Sequence, residues 1–100
     1  MSELQVTCTN KLNGWTTHEH ITHIGNNANG WRLTREDAIN RIKSGREAYY
    51  TLSPTNTKVY IHIVNTPGKV PYLQTYADGK WSDNLLALSK CGDTCKLYSN

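Results

Sequence analysis

The residues of most chemical interest lie between Trp31 and Arg35, where an indole and two guanidinium groups precede a predicted helix. The first turn of a helix presents free backbone N–H groups and the positive end of the helix dipole, which together suit a phosphate. Trp31 could stack on a base, and Arg32 could form paired hydrogen bonds to a phosphate. Glu36 and Asp37 oppose this use, because they already complement the helix end. The alternative, which we favour, is that Trp31 packs on the sheet and both arginines are solvated.

Aromatic and amide side chains on two predicted strands form a second candidate surface. Tyr60 and His62 alternate along one strand, and Tyr72, Gln74 and Tyr76 alternate along the next. If strand pairing places them on one sheet face, that face could recognise a planar ligand or bases. The competing interpretation, packing of this face beneath the helix, is slightly favoured because an apolar sheet face must be covered.

Three histidines, His18, His20 and His23, lie in one short segment and could bind a first-row metal ion. On an extended segment the first two share one face and His23 points to the other. This geometry favours ordinary surface or hydrogen-bonded histidines. No metal site is therefore predicted.

The chain has three cysteines, and Cys91 and Cys95 are four apart while Cys8 is remote. A structural zinc ion would need a fourth ligand, and this spacing is not that of a zinc ribbon. Free thiols are favoured in a reducing cytoplasm. A disulfide between any two of the cysteines stays the alternative, and a bond through Cys8 that joins the two ends of the chain is one form of it.

No arrangement typical of an enzyme is present. The sequence contains no paired-carboxylate motif, no nucleophile elbow and no phosphate loop. Cys91 with His62 is the one nucleophile and base pairing to consider, and nothing in the sequence orients the two. We therefore predict a protein that is not an enzyme and needs no cofactor.

The elements that must position these residues begin with a helix over residues 34–44. Thr34 is a suitable N-cap, and Gly45 is a suitable left-handed terminator. Ala38, Ile39 and Ile42 supply an apolar stripe at helical spacing. This is the most strongly specified element of the chain.

The remaining segments alternate with a period of two or contain turn residues. Strands are predicted at residues 4–9, 21–24, 48–52, 58–65 and 70–76, a loop at 25–30 and a short helix or turn at 84–88. The last three strands read as an antiparallel meander. We predict an α+β fold: a small antiparallel sheet, comprising this three-stranded meander plus one or two N-terminal strands, packed by one main helix.

The 100 residues predict a single domain with a net charge of +3. Lysine and arginine are spread along the chain, so only a weak attraction to anions follows. No apolar run approaches the ~20 residues of a membrane-spanning helix. The N-terminus also lacks the basic start and apolar stretch of a secretory signal. We expect a cytoplasmic protein without a membrane partner.

Two series of residues resemble one family. The first is Ile21-Thr22-His23-Ile24-Gly25, then Trp31, the helix and Tyr49-Tyr50; the second is Tyr72-Leu73-x-Thr75-x-x-Asp78-Gly79, then Asn84-Leu85-Leu86-x-Leu88-x-x-Cys91. Over about residues 20–91 the chain resembles the domain of unknown function 3892 family, with the tail 92–100 outside the pattern. The resemblance implies a compact single domain in a small bacterial or phage-type protein, and it implies no reaction.

Two functions remain from these observations. The first is a non-catalytic, homodimeric binding protein for a small anionic, nucleotide-derived ligand, comparable with phage proteins that sequester immune signals in an infected cell. The second is an interaction module for nucleic acid or another protein. The predicted ligand-binding residues are Trp31, Arg32, Arg35, Tyr60, His62, Tyr72 and Asn84.

Overall fold

The computed structural model describes residues 2–12, 17–77, 79–82, 84–93 and 95–97. The strands are β1 (Ser2–Gln5), β2 (Cys8–Lys11), β3 (Ile21–Asn26), β4 (Trp31–Thr34), β5 (Glu47–Leu52), β6 (Lys58–Val64), β7 (Tyr72–Ala77), β8 (Lys80–Ser82), β9 (Ser89–Lys90) and β10 (Lys96–Leu97). The helix α1 is Arg35–Lys43, and a 3-10 turn covers His18–His20. Within these residues no helix has the length and apolar character needed to cross a membrane.

The helix follows the sequence prediction closely. The Thr34 side chain accepts a hydrogen bond from the backbone N–H of Asp37 at 3.1 Å, which confirms it as the N-cap. Gly45 ends the helix with a φ of +73°, a conformation that an L side chain adopts with strain. Ala38 and Ile39 are buried, so the predicted apolar stripe does face the core.

Sheet A has the strand order β1-β5-β6-β7-β8. Strand β1 pairs with β5 in parallel, and every other neighbouring pair is antiparallel. The inward residues include Tyr49, Ile61 and Leu73, which are buried under the sheet. The alternate residues of the same strands form its outer face.

Sheet B has the strand order β10-β4-β3-β2-β9. Its three central strands are antiparallel, and the short strands β9 and β10 are added in parallel at the two edges. Gly25 lies next to the last residue of β3, where a Cβ atom would meet the backbone oxygen of Trp31 at 2.4 Å. The close approach of β3 and β4 therefore requires glycine here.

The two sheets are connected by consecutive residues near the N-terminus. The N–H of Val6 donates to the backbone oxygen of Tyr50 in sheet A at 2.7 Å, and the N–H of Thr7 donates to that of Gly25 in sheet B at 2.8 Å. The helix contacts strands of both sheets. One core results, formed by Val6, Ile21, Ile24, Leu33, Ala38, Ile39, Tyr49, Ile61, Leu73 and Leu85.

The predicted architecture of one small antiparallel sheet is wrong. The described residues form two five-stranded sheets of mixed pairing and one helix. The segment 4–9, predicted as one strand, is divided between the sheets, because the N–H of Val6 donates to sheet A and the N–H of Thr7 donates to sheet B. Trp31–Thr34 forms a strand where we expected the lead into the helix. The short strands near the C-terminus are too polar to show an alternating pattern.

The preference for free thiols is also wrong at two of the three cysteines. A disulfide joins Cys8 to Cys91, with their Cα atoms 4.8 Å apart. The pairing is the alternative in which Cys8 connects the two ends of the chain. Cys95 is a free, buried thiol. Sequence spacing could not indicate this pairing, because the partners are 83 residues apart.

Candidate functional site

Six rings line the outer face of sheet A, opposite the face that carries Tyr49, Ile61 and Leu73. Strand register places Tyr50 opposite Tyr60, Tyr60 opposite Tyr76, and Tyr76 opposite Trp81, so one row crosses four strands. Their neighbours along each strand point into the core instead. The set that we call the aromatic face comprises Tyr50, Tyr60, His62, Tyr72, Tyr76 and Trp81.

Three members of the aromatic face form an exposed ring cluster. The rings of Tyr76 and Trp81 have centroids 4.9 Å apart, and His62 lies 5.8 Å from Tyr76 and 6.5 Å from Trp81. All three pairs meet edge to face, the arrangement that aromatic quadrupoles favour. Trp81 is 48% exposed and Tyr76 38% exposed. Grouped exposed aromatic surface of this kind is typical of binding sites.

The opposite end of the face carries a charged group of contacts. The carboxylate of Glu3 accepts hydrogen bonds from Lys58 Nζ at 2.9 Å and from the hydroxyl of Tyr60 at 3.0 Å. These two hydrogen bonds lower the pKa of Glu3. Lys58 also lies 4.7 Å from the centre of the Tyr50 ring. The arrangement fixes the Tyr60 ring and keeps Glu3 ionised.

A cleft opens where β5 and β6 separate. The two strands pair only from Tyr50 opposite Tyr60 to Leu52 opposite Lys58 among the residues that the structure describes. Beyond that point β5 pairs with β1 and β6 pairs with β7, so two strand edges face each other across a gap. The cleft measures about 370 Å³, within the usual range for ligand sites. It is lined by Glu3, Ile42, Glu47, Ala48, Tyr60, Ile61 and His62.

A second hollow of about 620 Å³ adjoins the cleft. Ile42 and His62 line both spaces. Ile63, Tyr76 and Trp81 complete the second hollow. The ring cluster therefore borders the second hollow, and the separated strands β5 and β6 border the cleft.

The second carboxylate of the cleft is also paired. Glu47 accepts hydrogen bonds from the guanidinium of Arg41 and, at 2.8 Å, from the hydroxyl of Tyr49. Burial alone would raise the pKa of Glu47, but these hydrogen bonds outweigh it and the pKa is lowered. Burial and the neighbouring carboxylate raise the pKa of Tyr49. Because both carboxylates hold partners, the cleft offers ring surfaces and backbone groups to a ligand.

The predicted phosphate site around Trp31 is divided by the strand that contains it. Trp31 and Arg32 are consecutive in β4 and point to opposite faces. The Trp31 ring lies against the core, 6.4 Å from the ring of Tyr49. Arg32 lies on the outer face of sheet B and donates to Asn10 Oδ1 at 3.3 Å. A ligand on one face of β4 reaches only one of the two side chains.

The other predicted residues lie in separate places. Arg35 pairs with Glu36 at 3.2 Å and donates to the backbone oxygen of Glu19 at 2.9 Å. Tyr72 lies at the start of β7, at the far end of the aromatic face. Asn84 is half-buried in the turn after β8. The structure therefore brings together Tyr60, His62 and Tyr72 on one face, and it leaves Trp31, Arg32, Arg35 and Asn84 outside that face.

Sequence reasoning missed Trp81, a ring of the cluster that is 48% exposed. An Asp-Gly pair between two strands is a strong hairpin signal, so Asp78-Gly79 could have predicted a further strand that contains Trp81. A two-residue connection from Ala77 to Lys80 places Trp81 beside Tyr76 on the same face. Asp78 itself lies outside the described residues. The opening between β5 and β6 had no sequence signal.

Comparison with known proteins identifies the family of the chain. A family model described as "Protein of unknown function (DUF3892)" matches residues 5–89. The chain belongs to this family, which confirms the resemblance drawn from the sequence. The matched region contains the whole aromatic face and ends before Cys91. Neither a curated protein nor a solved structure matches the chain.

Proposed function

We propose that this DUF3892 protein is a non-catalytic binding domain for a small nucleotide-type ligand, whose base lies on the aromatic face. The observation that carries the proposal is the exposed cluster of His62, Tyr76 and Trp81 beside an open cleft. Stacking of a base on an aromatic side chain contributes about 1–3 kcal/mol. The facing strand edges supply the donors and acceptors that the polar rim of a base requires.

The anionic part of such a ligand needs a cation near the face. Lys58 lies at one end of the face beside Tyr50, where it also donates to Glu3. Its position is compatible with a phosphate outside the cleft, since a lysine acts as a mobile point charge. We therefore propose Lys58, in place of Arg32 and Arg35, as the contact for the anionic part of the ligand.

The openness of the face favours a second candidate, a single-stranded nucleic acid. The rings lie across four adjacent strands instead of lining an enclosed cavity. Open sheets with exposed aromatic residues bind single strands by stacking successive bases. A homodimer that covers the same face would instead enclose a small ligand, which is why the expected dimer belongs to the first proposal. Sequestration of a signal in a phage-infected bacterial cytoplasm is the role we propose for that dimer.

Titration calorimetry with nucleoside monophosphates and with a short single-stranded oligonucleotide tests both candidates. We expect saturable binding of a monophosphate, weakened about tenfold or more by Trp81→Ala and by Tyr76→Ala, which corresponds to about 1.4 kcal/mol. Val70→Ala is the matched control, because it removes an apolar side chain that is 67% exposed and does not belong to the aromatic face.

The outcomes separate the two candidates. Binding of the oligonucleotide alone, with a steep fall of affinity as salt rises, would favour the nucleic-acid function. If neither probe binds, or if both ring variants bind as well as Val70→Ala, the aromatic face is not a nucleotide site. Light scattering with and without the bound probe reports whether the protein is the expected dimer.

A further inference from the structure

Three cysteine sulfurs meet at one buried point on sheet B, although Cys8 is remote in the chain from Cys91 and Cys95. Cys8 begins β2, Cys91 follows β9 and Cys95 precedes β10. Their residues are 0%, 2% and 3% exposed, and the three Sγ atoms all lie within 4.8 Å of one another. The disulfide uses Cys8 and Cys91. The disulfide needs only these two residues, so it does not explain why the Cys95 sulfur lies beside them.

Specific contacts hold the Cys95 thiol in this position. Its Sγ lies 3.1 Å from Oδ1 of Asn27 and 3.9 Å from the backbone oxygen of Asn26. The Asn27 side chain also accepts a hydrogen bond from the N–H of Gly92 at 2.9 Å and donates to the backbone oxygen of Lys90 at 3.3 Å. One amide thus joins the loop after β3 to the C-terminal segment on both sides of Cys91.

We propose that, when the disulfide is reduced, Cys8, Cys91 and Cys95 bind one Zn²⁺ ion through three thiolates. Water occupies the fourth position. Thiolates are preferred ligands of zinc, and three protein ligands with one open position form an established type of zinc site. The proposal is independent of the aromatic face and of any ligand there.

The sulfur positions are close to those that zinc requires. A tetrahedral site with Zn–S bonds of about 2.3 Å separates its sulfur atoms by about 3.8 Å. The three sulfurs already lie within 4.8 Å of one another, so the most distant ones approach by about 1 Å or less. Cys8 and Cys91 must move apart once their bond is broken, which rotation of their side chains provides.

Arg32 supplies positive charge close to the proposed site, which itself would be negative. Three thiolates and Zn²⁺ have a net charge of −1. Strand register aligns Cys8, Gly25 and Arg32 in one row on the outer face of sheet B, and Gly25 places no side chain between the other two. Arg32 donates to Asn10 at 3.3 Å, and Asn10 donates to the backbone oxygen of Cys91 at 3.5 Å. The Nε of Arg32 is buried and has no hydrogen-bond partner among the described residues.

A phosphine is a suitable reductant for the Cys8–Cys91 disulfide. The phosphine breaks the S–S bond, takes an oxygen atom from water to become the phosphine oxide, and leaves two thiols whose protons come from that water. Zn²⁺ then binds Cys8, Cys91 and Cys95, and three protons pass to the buffer.

Metal titration of the phosphine-reduced full chain tests the proposal, with Co²⁺ as the spectroscopic probe. We expect one Co²⁺ per chain, a thiolate-to-cobalt charge-transfer band, and displacement of the cobalt by Zn²⁺. The oxidised protein should show no such band. His20→Ala is the control for adventitious binding by a histidine and should bind as the wild type does.

Cys95→Ser is the decisive variant, because it keeps the Cys8–Cys91 disulfide and its fold can be verified in the oxidised form. We expect its affinity for Co²⁺ in the reduced form to be lower by about 100-fold or more. A second readout is alkylation of the reduced wild type, in which Zn²⁺ should protect all three thiols. The proposal is overturned if Cys95→Ser binds as tightly as the wild type, or if Zn²⁺ leaves the alkylation rates unchanged.

Discussion

Different interactions attach the two sheets to the rest of the molecule: a buried ion pair for sheet A and a disulfide for sheet B. Under sheet A, Arg41 of the helix and Tyr49 both donate to the carboxylate of Glu47. On sheet B, the Cys8–Cys91 disulfide binds the C-terminal segment to the outer face. An ion pair responds to acid and a disulfide responds to reductant, so the two sheets are sensitive to different conditions.

The outer faces differ for a related reason. Sheet A carries large rings on its outer face. They stay partly exposed because the Arg41–Glu47 ion pair, which attaches this sheet to the helix, lies on the inner face. Sheet B carries small residues at the corresponding places, such as Cys8 and Gly25, and the segment around Cys91 and Cys95 packs there. Among the residues that the structure describes, no such segment covers the rings of sheet A, and this is the face that we propose for a ligand.

The largest expected effect is the loss of stability when the disulfide of sheet B is removed. The disulfide connects residues 83 apart, and the chain-entropy account gives a contribution of up to about 4.5 kcal/mol for such a loop. A Cys8→Ser, Cys91→Ser double variant should lose about 3–4.5 kcal/mol in urea unfolding. Hydrogen exchange should show the loss first in sheet B. A decrease below about 1 kcal/mol would mean that the disulfide does not fasten this sheet.

The second-largest expected effect is the loss of stability when the ion pair of sheet A is broken. Glu47→Gln leaves the buried cation of Arg41 without its counter-charge, so we expect a loss of about 3 kcal/mol at neutral pH. Because the folded state lowers the pKa of Glu47 below 4.5, the unfolded state binds the proton more readily. The stabilisation is therefore complete above about pH 5 and is lost as pH falls through the folded pKa.

Urea midpoints over a range of acidic pH measure this dependence. The gap between wild type and Glu47→Gln should narrow steadily as pH falls below about 4.5. Reductant should leave the gap unchanged, since the cysteines belong to the other sheet. A gap independent of pH would show that the carboxylate charge is not what stabilises sheet A.

The smallest effect on stability belongs to the aromatic face. Trp81 is 48% exposed on the edge strand β8. We expect Trp81→Ala to lower the free energy of unfolding by about 1 kcal/mol or less, because its main contacts are the edge-to-face rings of His62 and Tyr76. Thermal or urea unfolding measures this. A loss above about 3 kcal/mol would identify the ring as structural and would weaken the proposed binding role.

Much of the local structure follows from the sequence. Thr34, the apolar positions of the helix and Gly45 determine α1, because capping, helical spacing and a positive φ are local properties. Alternation along the strands also determines that Tyr60 and His62 share a face. These predictions depend on residues within a few positions of each other.

Which segments become neighbours was decided only by the tertiary structure. Alternation assigns side chains to the two faces of a strand, but it does not state which strand lies beside it or which face is covered. The division of residues 4–9 between two sheets, the cleft between β5 and β6, and the meeting of Cys8 with Cys91 and Cys95 all depend on contacts between distant segments. Such contacts form because the helix and both sheets must bury their apolar sides in one common core.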